Sequence, residues 1–310
     1  MDDAKDTPLP LDVLRAHIIP RLDGATLAAT ACATSQFKQM TSHDHLWERA
    51  CISTWPSLAD PRIRDAVSSF PCQFKSLYSD AQPLIHRSFA DIPRKPHAFQ
   101  SNKLVTALDV YYKQTHIFSK VAEITSSLNV ELLDAKEFVR DDNPKDSWLR
   151  DVEENVTLSW IVIDPEIGRA VNLSSHRAVV SQRHWLTGNV QLRFAVVLES
   201  GQRWAEWGAT VTFSGGADGE EVRVREAFVE MEGTGISGGD GLLMLRESMI
   251  EVRIRRRFEE DWKKVFEEFL EKKRLRKLWS RRKEKVKDTA LIFLGLFMVF
   301  IFWLWLFCFL

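Results

Sequence analysis

The chain has 310 residues, 45% hydrophobic and 27% charged, enough for a substantial core and a prior for about two folded units. A formal net charge of −1 excludes a protein that coats nucleic acid through bulk charge. The cysteines Cys32, Cys51, Cys72 and Cys308 form no CxxC pair and no closely spaced framework, which argues against a zinc ribbon and against a disulfide-stapled secreted domain.

Residues 1–7 are acidic and polar with no apolar run behind them, and read as a disordered N-terminus without a signal peptide. Residues 8–52 read as three short helices. Pro10 suits a first helical turn, Leu11, Leu14 and Ile18 share a face, and Pro20 ends or kinks that helix. Asp23-Gly24 offers a turn or cap before the small-residue helix Ala25–Ala33. A third helix is predicted over His43–Cys51, with Ser42 as its cap and Leu46-Trp47 as its apolar anchor. Residues 53–103 are punctuated by six prolines and read as a connector with short helices around Arg62–Ser68 and Gln73–Tyr78.

From 104 to 236 the period changes to that of strands. Leu104–Tyr112, Val156–Ile163, Val190–Leu198 and Glu221–Val229 are rich in β-branched and aromatic residues, and several alternate apolar with polar. Turn residues separate them (Asn143-Pro144, Asp164-Pro165, Gly188-Asn189, Gly215-Gly216) without long helical crossovers, which predicts an antiparallel β-sandwich or barrel. Residues 241–288 read as a charged amphipathic helix with Phe258, Trp262, Val265 and Phe269 on one stripe. Ten Lys or Arg and one Glu fall between Lys272 and Lys287. Beyond them, 290–310 is twenty-one residues of apolar character, eight of them Phe or Trp. At about 1.5 Å per residue such a helix spans roughly 30 Å, so a transmembrane tail anchor is expected there. The basic flank would keep the preceding domains in the cytosol, making a single-pass membrane protein. The endoplasmic reticulum is the first guess for the membrane.

Catalysis finds little support. His43-Asp44-His45 splays its rings at i,i+2 on a helix. The glycine-rich stretch from Gly233 to Gly241 lacks the Lys-Ser/Thr ending of a phosphate loop and carries Asp240. No GxSxG elbow occurs, and a hydrolase would need His176, His184 and Asp164 to converge. No catalytic residue, metal site, cofactor or nucleic-acid partner is expected. Arg183, His184 and Trp185 form the one polar-aromatic cluster in the β-rich region that suits a target-binding face.

The N-terminal segment Leu9-Pro10-Leu11-Asp12-Val13-Leu14, followed by Leu22, Leu27, Phe37 and Leu46-Trp47, resembles the F-box, the three-helix module that docks on the Skp adaptor of cullin ubiquitin ligases. The Leu27, Phe37 and Trp47 spacing is the family's. The longer pattern, with Trp160–Pro165 and Gln182–Gly188, resembles plant F-box proteins with a β-rich C-terminal region and, in some, a terminal hydrophobic span. By matching position, the resemblance implies adaptor contacts at Leu9, Pro10, Val13, Leu14, Leu27 and Trp47.

The expected fold is therefore α+β: an N-terminal three-helix F-box, an antiparallel β-sandwich or barrel-like middle, and a long C-terminal helix running into a single transmembrane helix. The resemblance implies a non-catalytic, membrane-tethered receptor that binds a Skp-type adaptor, through it cullin, and an unknown protein substrate. The alternative is a tail-anchored, lectin-like β-sandwich binding module without a ligase role.

Overall fold

The computed structural model describes residues 10–82, 103–124, 130–131, 140–141, 147–184, 187–200, 203–214, 222–234, 238–251 and 262–309. They fall into two units, one ending at Lys263 and one running from Lys264 to Leu310.

The first unit opens with a broken helical segment. A single α-turn, α1 (Leu11–Val13), loosens into a π-helical stretch over Leu14–Ile18 and tightens into a 3-10 turn over Ile19–Arg21. Pro20 is the cause: it has no N–H to donate to the Ala16 carbonyl, and its ring crowds that carbonyl. Helices α2 (Gly24–Ala33), α3 (Ser35–Met40) and α4 (Asp44–Thr54) follow. The Asp23 carboxylate caps α2 by accepting from Thr26 N at 2.7 Å, and Thr34 Oγ1 caps α3 by accepting from Phe37 N at 3.1 Å. Ser42 does not cap α4. That position falls to His43, without a side-chain bond, while the Ser42 hydroxyl donates back to Gln39 O. Helices α5 (Pro61–Val67) and α6 (Gln73–Ala81) complete the layer.

Among the described residues, ten strands make two antiparallel sheets. The smaller has the order β2-β1-β5-β6, from β1 (Leu104–Tyr112), β2 (Thr115–Ile124), β5 (Val156–Asp164) and β6 (Arg169–Asn172). The larger has the order β3-β10-β9-β8-β7-β4. Its long strands are β8 (Val190–Ser200), β9 (Arg203–Ser214) and β10 (Arg223–Thr234), with β7 (Val180–His184) and the two-residue strands β3 (Val130–Glu131) and β4 (Arg140–Asp141) outside them. A helix that the strand pattern gave no hint of, α7 (Ser147–Asn155), leads into β5. Helix α8 (Gly238–Glu251) packs against β6, β8 and β10.

Strand alternation explains how these layers stack, because successive side chains leave a strand on opposite faces. Trp160 of β5 meets Trp207 of β9 across the sandwich, ring centroids 6.4 Å apart, and its indole N–H donates to Thr106 Oγ1 on β1 at 2.5 Å. The other face of the small sheet carries Val105, Ala107, Ile161 and Ile163. These belong to one continuous buried cluster with Leu27, Trp47, Leu58, Ile63, Phe74 and Leu77 from the helices. Residues 53–82 are thus a packed helical layer on the sheet.

Polar contacts fasten the same junction. Asp80 of α6 pairs with Arg169 Nε at 2.8 Å and accepts from Ala170 N at 3.3 Å. Arg62 donates to Val121 O at 3.0 Å, and the Tyr111 hydroxyl to Thr54 O at 2.5 Å. On α8, Arg246 Nε reaches Asp164 Oδ2 at 2.6 Å with both side chains buried.

The second unit is the body of α9 (Trp262–Phe309), a 48-residue helix. Here the expectation of a transmembrane anchor is overturned: among the described residues no helix is long and apolar enough to cross a membrane. The fold is α+β with N-terminal helices and two antiparallel sheets. The transmembrane element, the single-pass membrane location and the membrane partner at 290–310 are withdrawn.

Candidate functional site

The residues singled out near the N-terminus separate into two kinds. Leu9 lies outside the described residues. Pro10 is exposed and starts the first turn, its carbonyl accepting from Val13 N at 3.0 Å and Leu14 N at 3.2 Å. Leu11, Val13 and Ile18 stand 46%, 37% and 37% exposed, and Leu14 is half-buried. Exposed apolar side chains on a helical segment carry a transfer cost of the order of 1 kcal/mol or more each that a covering surface would recover. By contrast, Leu27 and Trp47 are buried inside the chain.

Trp47 is the centre of a packed aromatic group. Its indole N–H donates to Thr41 O at 2.8 Å, and its ring lies 5.5 Å from that of Tyr78, which lies 5.6 Å from Trp55. The Lys75 ammonium sits 5.5 Å from the Trp47 ring centroid. Gly24 explains how α2 gets so near to α6: a Cβ at that position would run into the Tyr78 ring. Asp44 ties α4 to α6 by accepting from Phe74 N at 2.9 Å; burial holds its carboxyl above the usual carboxylate value. Beside the aromatic group a groove of about 830 Å³ runs between α2 and α6, lined by Ala28, Ala31, Cys32 and Trp47 and rimmed by Lys38 and Lys75.

The second set lies on the large sheet. Arg183, on β7, donates from Nε to Gly188 O at 3.3 Å and packs over the turn made by that left-handed glycine (φ +70°). His184 pairs through its backbone with Arg140 of β4; its side chain and all of Trp185 lie outside the described residues.

Among the described residues, no hydrolytic constellation is assembled from those named for it. Asp164 is engaged with Arg246 and with Glu166 N, and His176 stands elsewhere, on the loop after β6. A different group, Asp109, Ser119 and His116, does converge, and strand periodicity gave no sign of it. Asp109 is buried and accepts from Ser119 Oγ at 2.6 Å and from Ser57 N and Oγ at 2.9 and 2.5 Å. His116 Nε2 is 2.7 Å from Ser119 Oγ. The serine proton thus goes to the carboxylate, and the carboxylate holds the helical layer to β1 and β2. This is a structural lock. Among the described residues no group of three His, Cys, Asp or Glu is placed to hold a metal ion.

Comparison with known proteins decides the family. The chain is 32% identical over 329 residues to an F-box protein of Arabidopsis thaliana, covering 94% of this chain and 93% of that protein. The chain belongs to the F-box proteins. A second F-box protein of Arabidopsis thaliana is 32% identical over 307 residues, covering 90% of this chain and 84% of its own length. The F-box protein GID2 of Oryza sativa subsp. japonica is 32% identical over 82 residues, 26% of this chain. No family model and no solved structure matches the F-box chain. Because the similarity to the two Arabidopsis F-box proteins runs nearly end to end, it covers the helical layer and the sandwich together.

Proposed function

We propose that this F-box protein is the target-recognition subunit of a Skp–cullin–F-box ubiquitin ligase. It would dock the Skp-type adaptor, and through it cullin, with its N-terminal turn, while the β-sandwich holds the target. Ubiquitin transfer belongs to other subunits, and this chain acts by binding.

One observation carries the reading: the apolar side chains Leu11, Val13 and Ile18 are exposed on the segment where F-box proteins are expected to meet their adaptor. Leu9, Pro10, Val13 and Leu14 then supply direct contacts. Leu27 and Trp47, buried in the chain itself, act by holding α2 and α4 in place behind the contact residues. Arg183, His184 and Trp185 remain candidates for target contact on the large sheet.

The test is capture of a purified Skp-type adaptor by the immobilised full chain. Val13→Asp and Leu14→Asp place a charge in the buried contact, so each should weaken capture at least tenfold while the melting temperature stays near that of the wild type. Absence of adaptor capture by the wild type, or equal capture by both variants, would remove the ligase reading.

A further inference from the structure

A cleft of about 740 Å³ opens where the helical layer meets the small sheet, between the end of α4, the β1–β2 turn, the C-terminal end of α7 and the loop after β6. Its wall carries Gln82, Tyr111, Gln114, Thr157, His176 and Arg177.

The backbone around this cleft is unusual. Among the described residues four non-glycine residues have φ in the left-handed region, and Lys113 (+49°), Gln114 (+64°) and His176 (+63°) all line it. Lys113 and Gln114 are the whole loop between paired Tyr112 and Thr115. A two-residue hairpin loop with both φ positive ordinarily takes Asn-Gly or Asp-Gly. Lys-Gln pays strain there, and strain of this kind concentrates where side chains must be presented in a set direction. Three of these four residues thus gather at one opening.

Its lining defines the chemistry. The Gln82 and Gln114 amides each offer a carbonyl acceptor and an NH2 donor, the same pair that a peptide group presents in reverse. Thr157 adds a hydroxyl. Charge is modest: Lys113 is tied to Asp151 at 3.2 Å, Arg177 donates one guanidinium N–H to Glu154 O at 3.2 Å, and Glu154 itself lines the cleft. Burial and the neighbouring Arg177 charge push the His176 imidazole below its usual value, toward the neutral form. A polyphosphate or nucleic acid would find too few cations here, and an apolar segment would leave the amides unpaired.

We infer that this cleft binds a polar, extended peptide segment of the target protein, its main-chain amides meeting Gln82 and Gln114 and one carboxylate meeting the open edge of Arg177. The inference rests on the target-recognition reading and names the substrate class for it.

The experiment is selection of a phage-displayed random dodecapeptide library on the immobilised full chain, followed by titration of the enriched peptides. Polar peptides carrying an Asp or Glu should be enriched. Gln82→Ala and Gln114→Ala should each weaken them at least tenfold, and Arg177→Glu should abolish the preference for acidic residues. The variant Lys113→Asn/Gln114→Gly suits the turn better, so it should melt at or above the wild-type temperature and still lose the peptides. No enrichment, or enriched peptides that bind the Gln82 and Gln114 variants as they bind the wild type, would overturn the inference. Adaptor capture is measured on the same variants. Its loss in the wild type with peptide binding intact would remove the ligase assembly and leave the peptide site standing.

Discussion

Asp109 shows how one side chain can hold two layers together and set a pH dependence. It sits on β1 with no exposed surface, and its donors come from both layers: Ser57 from the helices and Ser119 from β2. Burial raises its pKa above the ordinary 3.8, outweighing the hydrogen bonds from Ser119 and Ser57 that act in the opposite direction. The folded value exceeds the unfolded one, so the contribution of this group to stability is complete below 3.8 and declines as pH rises through the folded value. Asp109→Asn keeps an acceptor and removes the titration. Urea unfolding of the two proteins across a pH series should therefore converge in favour of the variant as pH rises from 3.8 and level off above the folded value. Parallel curves would show that Asp109 does not titrate in this way. Nothing in the alternation of β1 marks Asp109 as a junction, because its partners lie 52 and 10 residues away.

At the scale of helices and strands, local pattern and long-range pairing divide the work. The strands β1, β5 and β8 begin at Leu104, Val156 and Val190, where their β-branched runs begin. Helix α2 begins where Asp23 can cap it. The β1–β2 turn was not legible, since Lys113-Gln114 carries none of the usual turn residues. Nor was the role of α5 and α6, whose prolines read as a connector while the packing that orders them comes from the sheet. Helix α8 is another case, fixed by Arg246 against Asp164 with side-chain exposures of 3% and 0%. Removing one partner strands a buried charge, so Arg246→Ala should cost about 3–5 kcal/mol. Replacing both partners by apolar residues of similar volume should cost far less. Chemical denaturation of the single and double variants distinguishes these outcomes, and equal losses would mean that the pair is not what anchors α8.

Across the whole first unit, the F-box helices and the small sheet share an interior. Val105, Ala107, Ile161 and Ile163 are covered by residues from α2 to α6, so deleting residues 1–52 would uncover part of an apolar sheet face. Such a truncation should fail to give a cooperative unfolding transition and should be digested rapidly by protease. A truncated chain with the full protein's melting profile would show instead that the helices are an independent module. This partnership was half-visible in sequence: the exposed Leu and Trp positions of 8–52 called for a cover, and the structure supplies it for Leu27 and Trp47 but leaves Leu11, Val13 and Ile18 open. At the C-terminal apolar stretch, composition pointed to a membrane span, whereas among the described residues no helix is long and apolar enough to cross a membrane.

The shared interior has a mechanical meaning for a receptor of this kind. With Leu27 and Trp47 in the same packed cluster as Val105 and Ile163, and Asp109 pinning Ser57 to the sheet, the described helices that would face the ligase and the sheet beside the cleft share one packed interior. Within the first unit, both ends are fastened to one interior, as the jaws of a caliper are to one beam. Which lysine of a captured client is modified would then be decided by reach from that shared frame.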